Sequence, residues 1–412
     1  MDSRPPETLE GAFDPAIQPL TGVRVLDLSG RIGAYCSKLL ADLGADVLKV
    51  ELPIGDRLRF LPPHRDGGDG PESGLLFAYY HHNKRGITLN WERDDSEPLL
   101  RELASSASVV LASPEGGGHK LTGFIESPPS LSWVTGNVLT CFITPFGLTG
   151  PYRKWRATPF TLFAMSGYMY PIGPPEGPPL AMPGQQFYDE AGIWAAFLIQ
   201  SVLRCPQELR SQVIDHSVHE MGLFNKLGHE TPYSRNGDIK SRVTNFGPPP
   251  SGIWKCNDGF LDVGAHSPHH WDIFVDLMGR PEILSDPIYR ERGIRIQLFD
   301  LLTEMIAELL ATRSARELVE LGQSAGLPCA LMQSGSQFVL EKQPRERGFY
   351  IRTERKGTGS FEIPGAPFLS SPALVRYHKS APVLGEANEE VFVHDLGYST
   401  KDLERWRSDG LI

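Results

Sequence analysis

No stretch of this chain approaches 18 consecutive apolar residues, so nothing in it reads as a transmembrane helix. The opening run, MDSRPPETLEGAFDPAIQPL, is acidic and proline-rich with no apolar core. Residues 1–18 read as a short mobile arm, not a secretory leader. Basic runs are missing too. With a formal net charge of -10, nucleic acid is an unfavourable partner. Cysteine is scarce: Cys36, Cys141, Cys205, Cys256 and Cys329 are odd in number, far apart and form no CxxC pair. That excludes a disulfide scaffold and a zinc knuckle, and it predicts reduced thiols in a cytoplasmic protein. Two signatures are also absent. There is no G-x-S-x-G elbow for a nucleophilic serine. The turn after the first apolar run reads SGRIGA, where a dinucleotide site would need G-x-G-x-x-G and a downstream acidic residue for the ribose.

What is present is the rhythm of an α/β protein. Glycine (42) and proline (35) are abundant among 412 residues, which fits many turns and two or three domains. VRVLDL (23–28) is a short β-branched apolar run, and Leu39, Leu40 and Leu43 then recur at helical spacing. DVLKVEL (46–52) is the next strand, completing a βαβ unit and predicting a parallel sheet. Strands at ITLN (87–90), SVVLAS (108–113) and NVLTCFITPFG (137–147) extend it, with a helix near 96–105. A loop-rich stretch over 150–185 leads to an apolar helix from Ala191 to Leu203. The segment 205–255 is polar and linker-like. WKCNDGFLDVGA (254–265) then starts a hairpin turning at Asn257-Asp258-Gly259, with helices near 268–278, 296–311 and 314–325. The expected organisation is a Rossmann-like part over 19–204, a linker and smaller α+β domain over 205–340, and a C-terminal part over 341–412 that returns to extended structure and ends in a short helix.

Histidines cluster twice, at His266, His269 and His270, and at His216 and His219 beside Glu220. Imidazole is a good metal ligand, but neither group has an acidic or thiol partner at ligand spacing, and the second lacks the HExxH pattern. Both read as structural, and no metal is expected.

Four blocks in fixed order carry a resemblance. They are PLTGVRVLDLSG with GAYCSKLLADLGADVLKVE, GDRLR and NKRGITLN; ITPFGLTGPYRKW with AMSGYMYPIGPPEGPPL; PSGIWKCNDGFLDV; and the C-terminal run from PGAPFLSSPALV to RWRSDGLI. Over nearly its full length the chain resembles the class III CoA-transferases, the formyl-CoA transferase and carnitine CoA-transferase family. The resemblance implies a Rossmann-like large domain built from both chain ends, a smaller domain between, and two subunits threaded through one another as an interlocked dimer. It also implies a reaction that moves CoA from an acyl-CoA donor to a free carboxylate. In the family an Asp carboxylate attacks the donor thioester, forms a mixed anhydride, and becomes an aspartyl-CoA thioester. The anhydride keeps the acyl group activated between steps, and backbone N–H groups hold the developing oxyanion.

The chain departs from the family where the chemistry would be. The family nucleophile lies four residues before the glycine of QFYDEAG, and here that position is Tyr188, with Asp189 one residue later. A phenol, with a pKa near ~10, does not form that anhydride. Asp189 admits two readings: an acidic residue in the first helical turn that suits the helix dipole, or a nucleophile after a one-residue register shift. After SVVLAS the family carries an Asn-Phe-Arg type motif that helps hold CoA, whereas here the run is Ser113-Pro114-Glu115 followed by Gly116, Gly117 and Gly118. Glu115 would repel CoA phosphates. The SGRIGAYCS turn is one residue shorter than usual. The family's racemases use a His in a Gly-His-Asp run plus a separate Asp. The matching positions here are Thr158 and Pro159, with Tyr188 again in the Asp place, so neither acid nor base is present and racemisation is not expected. Arg57, Arg59, Lys84 and Arg85 are the candidate contacts for CoA phosphates.

Some family members are heteromers in which only one of two related chains keeps the Asp. The two-subunit succinyl-CoA:benzylsuccinate CoA-transferases of anaerobic toluene degradation are of this kind, and GAYCSKLLADLGADVLKVE with SGLLFAYYHHNKRGITLN is similar to their non-catalytic chain. The resemblance therefore implies a subunit that supports a related catalytic partner, with an acyl-CoA thioester and a carboxylic acid as substrates of the complex. Two alternatives stay open: a self-sufficient homodimer using Asp189, and a protein that binds CoA esters without chemistry.

Overall fold

A computed structural model of the chain describes residues 18–65, 68, 70–113, 138–174, 176–225, 233–239, 241–242 and 247–412. They fall into two compact units. The first lies within Met1–Met169, Ala181–Gly228 and Glu346–Ile412, and the second within Tyr170–Leu180 and His229–Arg345.

The first unit is built on a six-stranded parallel sheet of order β3-β2-β1-β4-β5-β6. Its strands are β1 (Arg24–Leu28), β2 (Asp46–Glu51), β3 (Arg85–Thr88), β4 (Val109–Ala112), β5 (Leu139–Thr144) and β6 (Val213–Ser217). Val25 pairs in register with Val47 on one side and Val109 on the other. Every residue of β4 and β5 is buried, as a parallel sheet covered on both faces requires. Helices α1 (Ala34–Asp42), α2 (Leu75–Tyr80) and α3 (Glu97–Ser105) follow β1, β2 and β3 in the chain. The chain runs outward from β1 to β3 and then returns to place β4 on the other side of β1. This reversal makes a switch point at the carboxyl ends of β1 and β4, where doubly wound sheets bind ligands. There Gly30 N–H donates to Ser113 Oγ at 3.0 Å.

The C-terminal return joins this unit, as the resemblance implied. Ala387 N–H donates to Gly86 O at 2.9 Å, and Asn388 Oδ1 accepts from Thr88 N–H at 2.8 Å. Val391, Phe392, Leu403, Trp406 and Ile412 complete the core around Leu26, Leu48 and Ile87.

Helix α4 (Pro159–Met165) carries a Thr158 capping box. Helix α5 spans Gln186–Leu203, beginning five residues before the apolar run at Ala191. It packs against α1 because Gly192 has no side chain. A Cβ there would lie 2.9 Å from both Cys36 N and Tyr35 Cβ, closer than atoms pack. Strand β6 and helix α6 (Val218–Phe224) lie inside the 205–340 range expected to hold the linker and smaller domain. The first unit therefore extends to 228. Residues 213–217 read VIDHS, and only the last two are buried, so this edge strand carries too little apolar signal to stand out.

The second unit holds an antiparallel sheet of β7 (Gly252–Lys255), β8 (Phe260–Val263) and β9 (Cys329–Leu331) in that order. Helices α7 (Pro268–Leu277), α8 (Phe299–Ala311) and α9 (Ala315–Ala325) share its core, centred on Trp271, Phe274, Leu302 and Ile306. Asp258, in the expected hairpin turn, caps α9: its carboxylate accepts from Ala315 N–H and Ser314 Oγ, both at 2.6 Å.

Candidate active site

The first turn of α5 and the ends of β1 and α2 converge on one carboxylate. Asp189 lies in that first turn, where the helix dipole favours negative charge. The Tyr80 hydroxyl, at the end of α2, donates to its Oδ1 at 2.8 Å and lies 3.1 Å from its Oδ2. Tyr35 and Tyr79 set edge-on rings against Tyr80, with centroids 6.1 and 5.0 Å away. Burial pushes the Asp189 carboxyl up to about 6, against the opposing pull of the Tyr80 hydrogen bond and the Arg31 charge. The same burial, with Asp189 alongside, drives the Tyr80 phenol far above its ordinary range, so Tyr80 is a donor and never an anion at physiological pH. Glu190, next in sequence, is also raised by burial, with Asn225 opposing.

Tyr188 occupies a different environment. Its side chain is buried, 1% exposed, and the Arg31 guanidinium carbon sits 5.4 Å from its ring centroid. Arg31 Nε also donates to Gln185 Oε1. One residue of helix turns a side chain by ~100°, which is why Tyr188 packs inward beside Arg31 while Asp189 reaches Tyr80.

Three of the four cations expected to meet CoA phosphates are engaged within the protein. Arg59 is fully buried, gripping Glu51 through Nε at 2.6 Å and Nη2 at 2.7 Å and Glu72 at 3.0 Å, with its guanidinium 3.7 Å above the Phe77 ring. Lys84 is fully buried, with its ammonium 2.6 Å from Ser37 Oγ, 3.0 Å from His81 Nδ1 and 3.3 Å from Asp27 Oδ2. Arg85 ties Asp46 to Glu390 and Asp395 of the C-terminal return. Arg57 is exposed at the start of a 3-10 turn. The structure thus makes Arg59 and Lys84, with their acidic partners, buried ionic supports, whereas Arg57 is exposed.

Lys84 belongs to a chain of buried polar groups under the switch point. Burial would raise Asp27, but Lys84 and Lys49, with Ser29 and Ser37, outweigh it and hold the carboxyl below its ordinary value. Burial lowers the Lys84 ammonium to about 8, with Asp27 opposing. Burial and then Lys84 hold His81 neutral. Lys49 pairs with Asp56 at 2.9 Å and donates to Ser29 O, anchoring the turn that carries Arg31.

Sequence reasoning missed Tyr80, Arg31 and Gln185. The available signal was the tyrosine pair closing FAYYHHN and the one cation in the SGRIGA turn at the switch point. Glu115 and Gly116–Gly118 lie outside the described residues. Among the described residues no three His, Cys, Asp or Glu side chains gather as a metal site, and no helix is long and apolar enough to cross a membrane. His269 and His270 begin α7, with His270 N–H donating to Ser267 Oγ at 3.1 Å.

Comparison with known proteins agrees with this architecture. The family model described as CoA-transferase family III matches residues 20–388. Formyl-CoA:oxalate CoA-transferase of Streptomyces coelicolor is 29% identical over 95% of this chain and 99% of its own length. Succinyl-CoA:(R)-benzylsuccinate CoA-transferase subunit BbsE of Thauera aromatica is 26% identical over 96% of this chain and 98% of its own. The beta subunit of succinyl-CoA–L-malate CoA-transferase from Chloroflexus aurantiacus is 27% identical, again over 96% and 98%. Among solved structures, a CAIB/BAIF family protein from Brucella suis superposes with a TM-score of 0.76, covering 92% of this chain and 99% of that one at 23% identity. The chain belongs to CoA-transferase family III.

Proposed function

We propose that this chain is the supporting subunit of a CoA-transferase that moves CoA from an acyl-CoA donor of the succinyl-CoA type to a carboxylic acid, with a related partner chain supplying the nucleophilic Asp. The observation that carries this reading is Tyr188. This phenol, buried beside Arg31, is at the position where the resemblance implies the nucleophile, and a phenol does not supply the carboxylate that an acyl anhydride requires. Relatives named as subunits, BbsE and the alpha and beta chains of the L-malate enzyme, support a two-chain assembly. They also make a benzylsuccinate-like or other dicarboxylic acid a reasonable acceptor.

A second reading is favoured by Asp189. A carboxylate held by Tyr80 and raised to about 6 is still mostly ionised near neutral pH. It would make the chain a self-sufficient homodimer through the same attack on the thioester carbonyl, with CoA thiolate leaving. A third, a CoA-ester binding protein without turnover, has no observation in its favour.

The test is the intact mass of the chain after incubation with succinyl-CoA, alone and co-expressed with a related family member, before and after hydroxylamine. Under the supporting-subunit reading, a hydroxylamine-labile CoA adduct forms only on the partner. An adduct on the isolated chain, mapped to Asp189, would overturn it in favour of the second reading.

A further inference from the structure

Of the four expected cations only Arg57 is exposed, and one side chain does not meet all the phosphates of a bound CoA. The carboxyl edge of the sheet offers one exposed feature suited to them. Beyond β5 the chain turns through Phe146, Gly147 and Leu148 into GPYRKWR (150–156). The turn is firmly held. Gly147 N–H donates to Thr144 Oγ1 at 2.7 Å, both Asp215 oxygens lie 3.0 Å from Leu148 N, and His219 N–H donates to Pro145 O at 3.0 Å. On it, Tyr152 and Trp155 stack with centroids 4.0 Å apart and planes at 28°. Phe146 buttresses both rings edge-on from 5.9 and 6.1 Å, with His219 behind it at 5.6 Å. Trp155 is nonetheless 51% exposed and Tyr152 40%. Three cations, Arg153, Lys154 and Arg156, alternate with the two rings in the sequence of a chain of net charge -10, and Lys154 and Arg156 are exposed.

We propose that Tyr152 and Trp155 form a stacking platform for the adenine of CoA, with Arg156 and its neighbouring cations meeting the nucleotide's phosphates. This rests on the CoA-transferase reading above. A base has a π-face that extends a two-ring stack, and a guanidinium pairs with phosphate oxygens through parallel N–H groups. Rings fixed by Phe146 and by the turn lose little freedom when the base arrives. The carboxyl edge of the sheet is where a doubly wound fold receives nucleotides.

The test is isothermal titration of the purified chain with CoA, with its nucleotide half (3′-phosphoadenosine 5′-diphosphate) and with pantetheine. The variants are Trp155→Ala, Trp155→Phe, Arg156→Gln and, as a comparison outside the platform, Arg57→Gln. We expect Trp155→Ala to weaken CoA and the nucleotide on the order of ten-fold, Trp155→Phe to restore most of it, and pantetheine to be indifferent. Arg156→Gln should weaken the nucleotide and flatten its salt dependence. Unchanged CoA affinity in Trp155→Ala and Arg156→Gln, above all with a loss in Arg57→Gln, overturns the platform and leaves the transferase reading intact. Failure of the wild-type chain to bind either CoA or the nucleotide overturns the platform, while the supporting-subunit reading still stands or falls on the adduct formed by the partner. A single-stranded oligonucleotide that binds through Trp155 while CoA does not would assign the platform to nucleic acid and overturn the proposal.

Discussion

Asp189 directly follows Tyr188, the residue at the position where the family resemblance implies the nucleophile. Asp189 is partly buried, and its carboxyl is raised to about 6, compared with about 3.9 for an aspartate in an unfolded chain. The folded state therefore binds this proton more tightly than the unfolded state. The stability this confers is full below pH ~4 and is lost as pH rises through about 6. Asp189→Asn abolishes that dependence, since the amide carries no charge to desolvate and its oxygen still accepts from Tyr80. The variant should match the wild type near pH 3.5. At pH 8 it should be more stable by on the order of 1–2 kcal/mol, after allowance for solvent reaching a half-buried group. Thermal unfolding at the two pH values checks this. A variant less stable than the wild type at pH 8 would mean that Tyr80 and Arg31 favour the carboxylate more than burial opposes it. Sequence alone named Asp189 and Tyr188 but left the orientation of both open, because helical phase is only known once the helix start is known. That start, Gln186, has no side-chain cap to announce it.

At the level of elements, the glycine that aligns QFYDEAG with the family has a packing cause. Gly192 lets α5 lie against the start of α1, which brings Asp189 to the Tyr35–Tyr79–Tyr80 ring cluster. The Cβ of Gly192→Ala would meet Cys36 backbone and Tyr35 Cβ at 2.9 Å, and neither is the free end of a flexible chain. The two helices must separate, at a cost of about 1–3 kcal/mol. Urea unfolding should show a lower midpoint with an unchanged slope, and the Asp189 pKa should move as its contact with Tyr80 loosens. An unchanged midpoint would mean that α1 absorbs the methyl. Strands β1 to β5 and helix α3 were legible because apolar runs of fixed period do not depend on distant contacts. Strand β6 was not legible. Asp215 and His216 look like loop residues until Asp215 is seen holding Leu148 N–H and His216 is seen 3.1 Å from Ala191 O. Arg59 and Lys84 read as surface cations for the same reason: the carboxylates that pair with them, Glu51 and Asp27, lie on strands β2 and β1.

For the whole molecule, a single chain leaves apolar surface uncovered. One face of α5 is packed into the unit through Phe187, Ala191, Ala195 and Ile199, while Ile193 and Phe197, one turn apart on the other side, are 51% and 57% exposed. Trp194 sets its ring edge-on between Phe197 and Phe224, at 5.9 and 5.4 Å, and Phe224 is 65% exposed. Exposed aromatic clusters of this kind are features of interfaces, and the interlocked subunits that the family resemblance implies would cover this one. Replacing Phe197 and Phe224 together by Glu puts two carboxylates into that contact without disturbing the buried face of α5. Co-expressed with a related catalytic chain, the wild type should co-purify with it as a complex of at least two chains. The double variant should be recovered singly, with co-purification reduced at least ten-fold, since burying two unpaired carboxylates costs several kcal/mol. Analytical ultracentrifugation of both preparations reads the result directly. A double variant that still sediments with its partner at wild-type mass would place the interface elsewhere on the molecule, and the aromatic cluster would then need another occupant.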